Sequence, residues 1–152
     1  MDTSAAYSQL AAKCSTTEMC LDDVQKRLDR LDLTEGQRQE VLGRLLDEKY
    51  VDESRYAHAF ANDKIRFSGW GRVKIGQALR QKHIPLTLIS EALDEITDEE
   101  CLDVLRPLLA AKRRSVRGSS TYEINGKLIR FALGRGFEYE LIRQCLDIDD
   151  DF

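Results

Sequence analysis

Apolar residues in this chain recur every three to four positions, the period of an amphipathic helix, and no segment alternates convincingly as a strand would. The stretch 68–93, SGWGRVKIGQALRQKHIPLTLISEAL, shows the pattern most fully. Ile75 and Leu79 lie one turn apart on a helix that follows the Gly69-Trp70-Gly71 break. Ile84-Pro85 ends that helix and opens another, because proline disfavours helical geometry in the residue before it and fits a first turn. Leu88, Ile89, Ala92, Leu93 and Ile96 then form one apolar stripe.

The same pattern occurs on both sides of this stretch. A shift of fifty-one positions brings Leu28 under Leu79, Leu33 under Ile84, Val41 and Leu42 under Ala92 and Leu93, and Leu45 under Ile96. A shift of fifty-three the other way brings Leu128 under Ile75, Ala132 under Leu79, Phe137 under Ile84, Leu141 and Ile142 under Leu88 and Ile89, and Cys145 under Ala92. A period of that length holds about three helices, too few to bury their own apolar faces, so like units must stack. The expected fold is all-α, a curved array of three tandem three-helix repeats over residues 5–50, 51–97 and 98–147, with an acidic tail at 148–152.

Helix starts are marked by hydroxyl-x-x-acid or amide boxes at Ser15–Glu18, Thr34–Gln37, Thr97–Glu100 and Ser120–Glu123. Asp52 and Glu53 place acids where a further helix begins. Tyr56 and Phe60, one turn apart, read as packing between copies, and Ser68-Gly69 as a stop. Pro107 falls well inside the run Leu102, Leu105, Leu108, Leu109 and predicts a late start, a kink or a break there.

Charge adds what periodicity cannot. The 152 residues carry a net −4, yet between Lys64 and Lys82 every charged residue is basic: Lys64, Arg66, Arg72, Lys74, Arg80 and Lys82. From Leu105 to Tyr122 the same holds for Arg106, Lys112, Arg113, Arg114 and Arg117. Such segregation points to a basic surface facing a polyanion or an acidic protein. No apolar run approaches a membrane span, and MDTSAAYSQL lacks the basic start and apolar core of a secretory signal, so cytoplasm is the expected compartment.

Raw material for catalysis is scarce. Cys14, Cys20, Cys101 and Cys145 have no close pairing and lie far from His58 and His83, which gives neither a zinc spacing nor a disulfide framework; reduced thiols on apolar faces are expected, Cys145 at a core position. Gly71 to Gly76 has the spacing of a phosphate loop, but Gln77 stands where its lysine belongs, and Lys74 where a dinucleotide fingerprint needs glycine. No enzyme and no cofactor are expected. Each copy also contains a helix-turn-helix pair, which makes an autonomous DNA-binding protein the alternative. Against it, Glu91, Asp94 and Glu95 crowd the third helix of the middle copy and would be repelled by phosphate.

Three groups of residues together resemble a known family: Lys49-Tyr50-Val51-Asp52-Glu53-Ser54-Arg55-Tyr56-Ala57; Gly69-Trp70-Gly71 before Ile75–Leu79 and Lys82–Ile84; and Leu109–Arg114 with Lys127–Phe131 and Arg135-Gly136-Phe137. In that order they resemble the RecX regulators of the RecA recombinase, over roughly the last two thirds of the chain. Arg72 departs from the family's frequent proline after the glycine pair, and His83 from its frequent glycine before the apolar residue. The resemblance implies a regulator, usually an inhibitor, that binds in the groove of the RecA filament on single-stranded DNA and modulates ATP hydrolysis, strand exchange, repressor cleavage and extension. It implies an elongated array of the three repeats; a monomer with weak direct DNA contact and no membrane role is expected. The residues expected to meet this partner are Lys64, Arg66, Trp70, Arg72, Lys74 and Lys82 in the middle copy and Lys112, Arg113, Arg114, Lys127, Arg130 and Arg135 in the last. Trp70 serves equally well as an anchor for the partner or as plain packing.

Overall fold

A computed structural model describes residues 1–146; the acidic tail expected at 148–152 lies outside them. Among the described residues the chain is all-α, with nine α-helices and no strand: α1 (Thr3–Thr16), α2 (Leu21–Asp29), α3 (Glu35–Asp47), α4 (Glu53–Asp63), α5 (Arg72–Gln81), α6 (Leu86–Asp94), α7 (Asp98–Ser115), α8 (Thr121–Gly134) and α9 (Tyr139–Leu146). A π-helical segment, Lys64–Ser68, extends α4. Backbone proximity divides the described residues into two compact units, residues 1–59 with 79–89, and residues 60–78 with 90–146.

In the first unit α1 and α2 both pack on α3. Leu10, Val24, Leu28, Val41, Leu45 and Val51 sit at the centre of its core. Each such side chain, removed from water, contributes roughly 1.5–3 kcal/mol before entropy is counted. The residues that the fifty-one-position shift superposes, Leu28 with Leu79, Leu33 with Ile84 and Leu45 with Ile96, are all buried. In the second unit α7 packs on α8 and α9, and α8 on α9. Leu105, Leu128, Ala132, Phe137 and Ile142 are sealed from solvent there.

Two turns explain why the longer shift works. After α5, Ile84 N–H donates to Leu79 O at 3.2 Å and His83 N–H to Arg80 O at 3.0 Å; after α8, Phe137 N–H donates to Ala132 O at 3.2 Å and Gly136 N–H to Leu133 O at 3.0 Å. Both are Schellman endings, in which a left-handed residue lets two helix carbonyls be satisfied and an apolar residue fold back over the last turn. Leu79/Ile84 and Ala132/Phe137 are those apolar pairs. The left-handed residue is His83 (φ 62°) in one and Gly136 (φ 92°) in the other.

The boxes at Thr34, Thr97 and Ser120 cap α3, α7 and α8, each side chain accepting from the N–H three residues on. The box expected at Ser15–Glu18 does not exist. Helix α1 runs through Thr16, where Ser15 Oγ donates back to Ala11 O at 2.9 Å, and α2 begins only at Leu21. Glu18 is instead drawn to Arg55, 2.6 Å from its Nε, while Glu53 accepts from Leu21 N–H at the start of α2. Nor does Pro107 end or break α7, which continues to Ser115. Pro107 and Asp103, whose carbonyl loses its donor, are both exposed, so the missing bond falls on the solvent side of the helix. Cys145, expected in the core, is only half-buried.

Candidate partner-binding surface

The break after α4 shapes the site. The π-helical segment widens the last turn, so Lys64 O accepts from Trp70 N–H at 3.1 Å, and Gly69 closes it in the left-handed region at φ 66°. Trp70 is thereby set beside Phe60, edge to face at 6.4 Å between ring centroids. Lys64 Nζ lies 4.9 Å and Lys74 Nζ 4.6 Å from the Trp70 ring centre, and Lys64 also lies 5.4 Å from Phe60. The ring quadrupole holds both ammonium groups without neutralising them. Trp70 is the platform on which these lysines rest.

A second ring carries a matching pair. Lys112 Nζ lies 5.1 Å from the centre of Phe131 and the Arg135 guanidinium 5.3 Å from it. Arg135 also donates to Ser68 O at 3.1 Å, so it links this cluster to the one around Trp70. The backbone forms a tighter link. Gly71 N–H donates to Arg135 O at 2.8 Å and Val73 N–H to Gly136 O at 3.0 Å, so free donors at the start of α5 meet free carbonyls at the end of α8. The approach requires glycine on both sides: a Cβ on Gly71 would stand 2.4 Å from Gly136 O, and one on Gly136 would stand 2.3 Å from Lys74 Cβ.

Arg72 is placed differently from the other expected contact residues. Its Nε lies 3.0 Å from Glu138 and its Nη2 2.5 Å from Asp98, and Nη1 donates to Ile96 O at 2.9 Å. With its side chain 21 % exposed, it is a clamp within the second unit. Partial burial opposes its charge, but the bonds to Asp98 and Glu138 outweigh that and hold its pKa above the ordinary arginine value. Lys82 belongs to the first unit, where it pairs with Asp23 at 2.8 Å. Burial alone would raise the Asp23 pKa, yet the Lys82 bond and the Cys20 thiol bring it below the usual range.

The remaining expected residues vary. Arg66, Arg114 and Arg130 are exposed and make no ion pair among the described residues. Arg113 donates to Asn125, and Lys127 to Arg117 O with Glu123 3.8 Å away. Phe67 (81 % exposed), next to Arg66 in the chain, and Tyr122 (90 %) were not anticipated, although each is a large side chain standing in water. Among the described residues no three His, Cys, Asp or Glu side chains are placed to share a metal, and burial pushes the Cys20 and Cys101 thiols up to about 11, leaving them protonated at neutral pH. Among those residues, too, no helix is long and apolar enough to cross a membrane.

Comparison with known proteins decides the family. Residues 52–93 match the second three-helix domain of RecX and residues 98–146 the third. The chain belongs to the RecX family. It is similar to the regulatory protein RecX of Clostridium botulinum (strain Eklund 17B), 30 % identical over 104 residues, which span 67 % of this chain and 48 % of that protein. To RecX of Streptococcus gordonii it is 28 % identical over 149 residues, 96 % of this chain and 55 % of that protein. The chain spans about half the length of such relatives. Its fold is that of a RecX crystal structure, with a TM-score of 0.86 and 24 % identity covering 95 % of this chain and 73 % of the other. RecX from Lactobacillus salivarius gives 0.83 and 22 %, over 95 % and 94 %.

Both departures from the RecX pattern have a local cause. Arg72 is the first residue of α5, a position where proline fits because its N–H is not needed, and here arginine uses it to reach two acids. His83 takes the left-handed conformation that glycine adopts freely, and its ring lies 3.2 Å from Asp22. The RecX-like segment 49–57 is equally structural: Arg55 donates to Lys49 O and Tyr50 O and so fastens the turn after α3.

Proposed function

We propose that this chain regulates the RecA recombinase, in the inhibitory sense, by lying in the groove of the RecA filament on single-stranded DNA and slowing its ATPase, strand exchange and extension. In this reading the protein acts in the cytoplasm as a monomer of three modules, over residues 5–50, 51–97 and 98–147. Family membership supports the regulatory role. The observation that carries the contact assignment is the linked pair of clusters, Lys64 and Lys74 on Trp70, and Lys112 and Arg135 on Phe131. These cations are presented on rings rather than consumed by acids, which leaves them available to carboxylates and phosphates. Arg66, Arg113, Arg114, Lys127 and Arg130 extend the contact, while Arg72 positions the helices that carry it.

The test is an ATPase titration of RecA on single-stranded DNA with the wild-type protein and with Lys64→Ala/Lys74→Ala. Weakened inhibition with unchanged helix content supports the assignment, and undiminished inhibition removes this cluster from the contact. Direct DNA binding is the second reading, since lysines interleaved with aromatic rings also suit single strands. Tight binding of bare oligo(dT) at physiological salt, without RecA, would favour it.

A further inference from the structure

Within the first unit α1 and α2 enclose an open groove of about 440 Å³ whose lining includes Leu10, Lys13, Arg27, Arg30 and Leu31. The three cations also line a neighbouring cavity of about 340 Å³. Elsewhere in this unit most cations have partners: Lys26 with Asp22, Arg38 with Glu35, Arg55 with Glu18, Lys82 with Asp23, and Arg44 over the Tyr7 ring. Lys13, Arg27 and Arg30 are exposed and make no ion pair or hydrogen bond through their side chains among the described residues. Arg27 lies in the last turn of α2 and Arg30 caps its end three positions on. Three like charges gathered on one groove repel one another until an anion joins them. Of the acids at the second cavity, Asp23 is engaged by Lys82 and Glu18 by Arg55 through one oxygen, its other oxygen being buried without a hydrogen-bond partner.

We propose that this groove binds an acidic segment of a partner protein that carries an apolar side chain of leucine type. Two guanidinium groups and an ammonium suit carboxylates, and the guanidinium fork takes them two bonds at a time. The apolar lining, Leu10 and Leu31, gives a hydrophobic side chain a place that a phosphate backbone would leave empty. No aromatic ring lines the groove, so it lacks the stacking platform that single-stranded nucleic acid uses. The site shares no residue with the clusters around Trp70 and Phe131, so either assignment can fail without the other.

The test uses the full chain and three fluorescein-labelled probes: an acidic octapeptide with two leucines (Glu-Asp-Leu-Glu-Asp-Leu-Asp-Glu), the same peptide with serine for leucine, and a twelve-residue oligo(dT). The leucine peptide binds most tightly to the wild type. Arg27→Glu/Arg30→Glu weakens it by about tenfold or more, and Lys13→Ala weakens it less. Circular dichroism confirms that each variant keeps its helices; should the double reversal unfold, Arg27→Ala decides in its place. The proposal is overturned if reversal leaves peptide affinity intact, if the serine peptide binds as well as the leucine peptide, or if oligo(dT) loses as much affinity as the peptide does.

Discussion

Replacing Gly71 by alanine tests the joint that links the two aromatic clusters. The new methyl carbon would stand 2.4 Å from Gly136 O, 2.5 Å from its carbonyl carbon and 2.6 Å from Phe137 N. All three are backbone atoms, so no side chain can swing aside. To reach ordinary van der Waals separation the two segments must part by about 1 Å, which breaks the bonds of Gly71 N–H to Arg135 O and Val73 N–H to Gly136 O. Each lost bond costs about 1 kcal/mol, and forced repacking adds about 1–3 kcal/mol. The sum, about 3–5 kcal/mol, is a large share of the ~5–15 kcal/mol that holds a folded domain. Urea unfolding, followed by helix signal and by the fluorescence of Trp70, the single tryptophan, should show a midpoint lowered by about 2 M. The control is Gly43→Ala in α3, where a Cβ meets nothing within 4 Å and alanine should raise stability by about 0.5–1 kcal/mol. A Gly71→Ala protein within 1 kcal/mol of the wild type would refute the reasoning.

Other outcomes follow from the same geometry. Arg72→Glu, which sets an acid against Asp98 and Glu138, should destabilise by at least about 2 kcal/mol in urea melts, so a loss of RecA inhibition in that variant would report misfolding rather than a lost contact. Pro107→Ala should stabilise α7 by about 1–3 kcal/mol by restoring the donor to Asp103 O, read as a raised thermal midpoint. His83→Gly should relieve the left-handed strain and add about 0.5–1 kcal/mol, an increase visible in the same scan. The folded pKa of Asp23 is depressed, so its contribution is complete above the unfolded carboxylate value near 3.9 and is lost as pH falls through the folded value. The Lys82 pKa is raised, chiefly by its bond to Asp23, so its contribution holds below the unfolded value near 10.4 and is lost as pH climbs through the folded one. Asp23→Asn should therefore flatten the acid limb of a stability profile and Lys82→Met the alkaline limb.

Much of the fold could be read from the chain because its signals are local. The caps at Thr34, Thr97 and Ser120 act within three residues, and the superposed pairs Leu79/Ile84 and Ala132/Phe137 proved to be the two apolar residues of one turn type. Failures arose where distant partners decide. Ser15–Glu18 has the letters of a box, but Arg55, thirty-seven positions on, claims Glu18. Arg72 sits in a basic run, yet its acids lie twenty-six and sixty-six positions away. The groove of Lys13, Arg27 and Arg30 escapes a search for runs of one sign because Glu18, Asp22, Asp23 and Asp29 interrupt the sequence between and around them. Phe60 and Phe131 were read as packing and as part of a resemblance, and only the folded chain brings lysines over their faces.

The most direct measurement of the central claim is the affinity of this protein for RecA filaments on single-stranded DNA, compared between wild type and Lys64→Ala/Lys74→Ala/Lys112→Ala by fluorescence anisotropy at two salt concentrations. Removing three ring-held cations should weaken binding by about tenfold or more and reduce its salt dependence, with the melting temperature unchanged. Equal affinity of the two proteins at both salts would contradict the account.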